Sequence, residues 1–149
     1  MEKKGVTPRG LLLSLAAFVI LLQLASGAGL FFLHLGFSPE SVALFYRGDA
    51  EHFSAPKSVP GLLKTTLPHL IAMTVIALFL LHLLPCTKRC KGLLSACVFS
   101  GMILDLAGGY LVLIDPLFAA FKLFGFVLLQ GGLWIAAVRL ITAATGVRS

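Results

Sequence analysis

Four long apolar runs, separated by short polar breaks, organise this chain. They extend from Leu11 to about Leu35, from about Leu62 to Leu84, from about Leu93 to Ile114 and from about Leu117 to Ala144. A helix needs about 20 predominantly apolar residues to cross a hydrocarbon core of about 30 Å. Each run is that long, and each is bounded by charge, Pro or Gly. The pattern predicts an all-α integral membrane four-helix bundle, a single transmembrane domain over residues 1–149. There is no internal repeat.

The one long connection is residues 37–60. Ser38-Pro39-Glu40 reads as a helix start, with Ser as N-cap and Pro at the first position. Val42, Phe45 and Tyr46 then form an apolar stripe, and Gly48 is a natural stop. These residues predict a short amphipathic helix on the outer membrane surface. Polar Asp49-Ala50-Glu51-His52 follows, and Pro56 and Pro60 punctuate the approach to the second span. Pro68 inside that span frees a carbonyl near Lys64 and predicts a kink.

Composition excludes a soluble protein. The chain is 58% hydrophobic and only 12% charged, about half the charge of soluble domains, with mean hydropathy +1.00. The net charge of +6 does not point to nucleic acid, because the basic residues flank apolar runs instead of forming a patch interleaved with aromatics. Three cysteines are too few for a disulfide framework. No phosphate-binding loop, nucleophile elbow or zinc-protease pair occurs, so no enzyme activity is expected of the chain alone.

Basic residues predict orientation. Lys3, Lys4, Arg9, Lys88, Arg89, Lys91, Arg139 and Arg148 fall on one side of the membrane, and Arg47, Lys57, Lys64 and Lys122 on the other. Both termini are therefore expected in the cytoplasm of a bacterial inner-membrane protein, with residues 37–60 outside. The first span also carries secretory-signal features, including small residues at Ala25-Ser26-Gly27-Ala28. Its apolar run continues to Leu35, beyond a signal's length, so a retained helix is expected.

Ionisable groups within a bilayer are costly and are candidates for function. Here they are His34, Lys64, His69, His82, Asp105 and Lys122. All but His82 map to the outer half. Gln23, Gly27, Leu30 and His34 share a face of the first helix, Gly101, Asp105, Gly108 and Val112 one of the third, and Lys122, Phe126, Leu129 and Leu133 one of the fourth. Each face is expected to turn inward, the glycines allowing close approach. Plain structural roles compete: the lysines can snorkel, Asp105 can simply pair with Lys122, and an apolar-helix histidine is commonly a packing residue.

Two cofactor readings follow. Membrane haems sit between helices with a histidine on each, so His34 and His69 could hold the iron of one outer b-type haem. Two haems are excluded. His69 and His82 are 13 residues apart, about 20 Å along the helix and about 140° around it. No histidine on another helix matches His82 in depth. Alternatively, the cluster Lys64, His69, Asp105 and Lys122, roofed by Phe45 and Tyr46, would suit a quinone, which needs an apolar slot with one or two polar groups. Such a set could also relay protons. Cys86, Cys90 and Cys97 read as ordinary thiols, because the C-x₃-C spacing with Lys88 and Arg89 between disfavours a cation.

The stretches Gly36-Phe-Ser-Pro-Glu-Ser, Phe45-Tyr-Arg-Gly, Pro56-Lys-Ser, Gly61-Leu-Leu, Pro68-His69-Leu and His82-Leu resemble a family of small four-span bacterial membrane proteins of unassigned function, mainly over residues 36–84. That resemblance implies company with multihaem cytochromes and other respiratory components. It marks His69 and His82, but not His34, as family positions. The resulting expectation is an accessory or anchor subunit of a respiratory electron-transfer assembly, in the lipid bilayer beside redox subunits such as cytochromes. Its outer-side polar site would take quinone or one haem. The alternatives are a cofactor-free structural or assembly subunit, and a small transporter or sensor, although paired broken helices are lacking.

Overall fold

The computed structural model describes residues 8–49 and 54–144. Lys3, Lys4, Arg148 and the polar run Ala50-Glu51-His52 lie outside the described residues, as does the side chain of Arg9. Five helices are described: α1 (Pro8–Leu35), α2 (Pro39–Arg47), α3 (Val59–Leu83), α4 (Lys88–Leu111) and α5 (Phe118–Ala144). The four long ones are each apolar enough to cross a membrane, and no strand is formed among the described residues. The fold is the all-α four-helix membrane bundle that the pattern predicts.

The spans begin and end where capping chemistry puts them, not where hydrophobicity does. α3 starts three residues before Leu62, because the Ser58 hydroxyl caps Gly61 N–H at 3.2 Å and Pro60 fits the first turn. α4 starts at Lys88, well before Leu93, because Thr87 caps Cys90 N–H at 3.3 Å. It stops at Leu111 because a tight turn leads through Pro116 into α5, with Asp115 Oδ1 accepting Leu117 N–H at 2.8 Å.

α4 and α5 form the spine. Their approach is set by glycines from both helices at seven-residue intervals, so that backbone meets backbone. A methyl group on Gly101 would lie 2.6 Å from Leu129 N, one on Gly108 2.8 Å from Lys122 Cα, and one on Gly132 2.6 Å from Val98 Cγ2. Gly125 abuts the Asp105 backbone in the same way. Gly101, Asp105, Gly108 and Val112 are all buried in this seam, as are Lys122, Phe126, Leu129 and Leu133.

α1 packs on α5, and α3 packs on α4 and α5, while α1 and α3 barely meet. The helices alternate in direction, so the start of α1 and the end of α5 share one end of the bundle. α2 crosses the other end. Its Ser38 cap forms a capping box with Ser41, and Gly48 ends it at φ 84, a conformation that favours glycine. Val42 is fully buried and Tyr46 nearly so, wedged among Leu35, Leu62, Val112 and Ala119. Val42 alone contributes on the order of 1.5–3 kcal/mol. The return to α3 is pinned by paired backbone bonds between Asp49 and Ser54 and by Lys57 N–H donating to Tyr46 O at 2.8 Å.

The rotation of α1 corrects the sequence reading. Its buried residues are Ala17, Leu24 and Leu35, and Phe31 stacks on Phe126 at 3.6 Å between ring centres. Gln23, one position before Leu24, is exposed. Gly27 does turn inward, a methyl group there lying 3.7 Å from Gln130 Nε2 of α5, while Leu30 and His34 are exposed at the edge of a cleft. Pro68 sits within α3, and the helix runs through it.

Candidate functional site

Between α1 and α3, at the α2 end, lies a cleft of about 590 Å³, within the range of small-molecule sites, roughly 300–1,000 Å³. α1 forms one wall with Leu30, Phe31 and His34; α3 forms the other with Thr65, Thr66, His69 and Met73. The floor comes from α4 and α5. α2 places Phe45 and Tyr46 at the closed end, with Lys57 seated 4.5 Å above the Phe45 ring.

The floor holds the main polar feature. Lys122 Nζ lies 2.7 Å from Asp105 Oδ1 and donates a second hydrogen bond to the Asp105 backbone carbonyl at 3.1 Å. Lys122 is 7% exposed and Asp105 6%, so this pair is internal and neither side chain snorkels. The glycine seam places it there: Gly108 lies against Lys122, and Gly125 against Asp105. The ammonium also sits 5.5 Å from the Tyr46 ring centre and 5.8 Å from that of Phe31, in the range of cation–π attraction. Burial pushes the Tyr46 phenol above its ordinary value, and the nearby Lys122 opposes that shift.

A second pair joins α3 to α4. Thr66 Oγ1 and Tyr110 Oη are 2.6 Å apart. The Thr66 hydroxyl donates to Leu62 O at 2.8 Å, so Tyr110 is the donor to Thr66. Deeper in the cleft, Gln130 Oε1 is buried with no hydrogen-bond partner among the described residues. Thr66, Tyr110, Gln130 and Phe31 were not singled out in the sequence. A threonine or tyrosine in an apolar helix can satisfy itself locally or at an interface, and only packing reveals which.

Of the sequence candidates, His34, Tyr46, His69, Asp105 and Lys122 all line this cleft. Lys64 does not: it is exposed, on the face of α3 turned away from Asp105, two positions before Thr66. His34 and His69 stand on opposite walls and are themselves exposed. His34 also borders a smaller hollow with Ser41, Asp49 and Ser54. Were a haem bound between these walls, the His34 and His69 imidazoles are the side chains that would hold its iron. Among the described residues no cluster of three or more metal-binding side chains occurs.

His82 is exposed at the far end, where its carbonyl accepts a bond from Lys91 Nζ at 3.1 Å. All three thiols are free. Arg139 Nη1 donates to Cys90 Sγ at 3.0 Å.

Fold and site together define a polytopic helical membrane protein with a buried ion pair beneath a cleft between α1 and α3. Residues 36–146 match Aq_1264_TM, a transmembrane helical domain, and the chain belongs to that family. The match takes in α2 to α5 and leaves out α1, and with it His34. No curated protein and no solved structure matches the chain.

Proposed function

We propose that this chain is an accessory or anchor subunit of an electron-transfer assembly in the bacterial inner membrane, and that its cleft receives the head of a quinone. The observation that carries the reading is the cleft itself. It has largely apolar walls, a floor that holds Lys122 and Asp105, and Tyr46 beside them at the closed end. A ring of quinone size can lie against Phe31 while one of its oxygens accepts from the Tyr46 hydroxyl. The electron-transfer context and cytochrome-like partners rest on the resemblance in residues 36–84.

Purified protein titrated with a short-chain quinone is the test. Saturable binding is expected, weakened about fivefold to tenfold in Tyr46→Phe, the loss of one hydrogen bond worth about 1 kcal/mol. Non-saturable uptake, equal in wild type and variant, would remove the reading.

One haem between His34 and His69 is the second reading, favoured by their placement on facing walls. It predicts a reduced-minus-oxidised band in the b-type region that vanishes in His69→Ala and survives in His82→Ala. His34 lies outside the residues matched to the family, so the haem reading is put second. The basic asymmetry supports both termini in the cytoplasm and α2 outside. With Cys86 and Cys90 removed, a cysteine introduced at Thr87 should resist a membrane-impermeant reagent added from outside, and one introduced at Ser54 should react; the reverse pattern inverts the topology.

A further inference from the structure

The cleft floor carries two full charges that cancel. A bilayer is crowded with anionic amphiphiles, chiefly phosphate and carboxylate heads, and a lone buried ammonium opening on lipid would be filled by one of them. Here Asp105 occupies Lys122 at 2.7 Å, and the Asp105 carbonyl takes a second donor at 3.1 Å. An anion entering the cleft would shed its water and find no net charge to replace it.

The other polar groups reaching the floor are uncharged: the hydroxyls of Tyr46, Thr66 and Tyr110, and the amide of Gln130. Gln130 supplies a separate argument. Its Oε1 is a buried acceptor without a partner among the described residues. A carboxylate or phosphate dianion, which only accepts, leaves that oxygen unsatisfied, whereas a neutral hydroxyl satisfies it. The other cation at the cleft, Lys57, is held over the Phe45 ring at the closed end.

We infer that the cleft selects neutral amphiphiles with a hydroxyl head against anionic lipid, and that Asp105 is the residue that sets this selectivity. The inference rests on the reading of the cleft as a ligand site, but not on the ligand being a quinone. Discrimination arises from an element placed against the wrong ligand, an oxygen that repels a second anion, as much as from attraction to the right one.

The test uses the full chain in phosphatidylcholine nanodiscs at a pH where a fatty acid is ionised. Two photoreactive probes of equal chain length are compared, a long-chain alcohol and the corresponding carboxylate, with labelling mapped to the peptides carrying Thr66, His69 and Tyr110. The alcohol is expected to label these peptides at least about tenfold more than the carboxylate, a difference of about 1.4 kcal/mol. Asp105→Asn leaves Lys122 uncompensated and should reverse the preference. If that variant does not fold, the double variant Asp105→Asn, Lys122→Gln has a neutral floor and should keep the preference for the alcohol.

Equal or stronger labelling of wild type by the carboxylate overturns the inference. So does an unchanged preference in folded Asp105→Asn, or a lost preference in the double variant. A photoreactive quinone that labels no better than the alcohol sinks the quinone reading and leaves this one standing. A quinone that binds well in a cleft that also takes the carboxylate does the opposite. No labelling of these peptides by either probe overturns both.

Discussion

The two halves of the bundle use the same helices to opposite ends. Away from α2, Ala17 and Leu24 of α1, Leu80 and Leu81 of α3 with Leu84 just past its end, Leu94 and Val98 of α4 and Leu133, Ala136, Ala137 and Leu140 of α5 close into one apolar core. No ionisable side chain is buried in it. Towards α2, a cleft lies between α1 and α3, surrounded by an ion pair, the Thr66–Tyr110 hydroxyl pair and two imidazoles. The α4–α5 glycine seam runs through both halves, so the spine does not cause the difference. The difference lies in what fills the space between α1 and α3: apolar side chains in one half, and in the other a cleft that α2 closes with Tyr46. The lesson is that in lipid, where apolar surface gains little by being covered, a bundle can leave a cleft open if close packing elsewhere holds the helices.

The largest effect expected comes from breaking the ion pair. Lys122→Met leaves Asp105 buried without a counter-charge and should cost about 3–5 kcal/mol, read by thermal or denaturant unfolding in detergent. Adding Asp105→Leu should recover most of that loss, because replacing both partners by apolar groups removes the uncompensated charge. A single variant as stable as the parent would mean that the pair is solvated, and the contrast between the halves would fall.

The seam comes next. Gly108→Leu pushes a side chain into the Lys122 backbone and should cost on the order of 1–3 kcal/mol by overpacking. If it melts with the parent, α4 and α5 are not held as closely as the glycines require. Tyr110→Phe should cost less, about 0.6 kcal/mol, the usual size of an interhelical hydrogen bond in a membrane, because Thr66 keeps its bond to Leu62 O. A double cycle with Thr66→Val isolates the coupling, which should vanish once either hydroxyl is gone.

The existence of the four spans, the ends of α2 and the faces of α4 and α5 were legible in the sequence, whereas the caps Ser58 and Thr87 that start α3 and α4 were not. Ser38, Pro39 and Gly48 mark the ends of α2, and the spacing of Gly101, Asp105 and Gly108 marks a face that does not suit lipid. The rotation of α1 was not legible. That helix is apolar all round, so a lone Gln23 was given the weight of a face that Leu24 in fact occupies. The glycines of α5, Gly125 and Gly132, were equally visible in the sequence, but their role needs the partner helix to be in register. Thr66 with Tyr110 is a contact across 44 residues, beyond any local pattern.

The smallest effect expected, and the sharpest control, concerns the other lysine at the α2 end. Lys64 and Lys122 look alike in the sequence: each is a lone cation within the first turns of an apolar helix that starts near α2. The structure separates them, since Lys64 is exposed and Lys122 buried. An exposed lysine near a helix end reaches the interface along its own stem, and a surface substitution typically changes stability by no more than about 0.5 kcal/mol. Lys64→Gln should therefore unfold with the parent and bind a short-chain quinone with unchanged affinity, while Lys122→Met loses stability. Were Lys64→Gln instead to weaken quinone binding severalfold with its stability intact, the ligand would extend out of the cleft along α3. The polar head would then lie nearer the mouth than the floor, which makes this control the finest measure of where in the cleft the head sits.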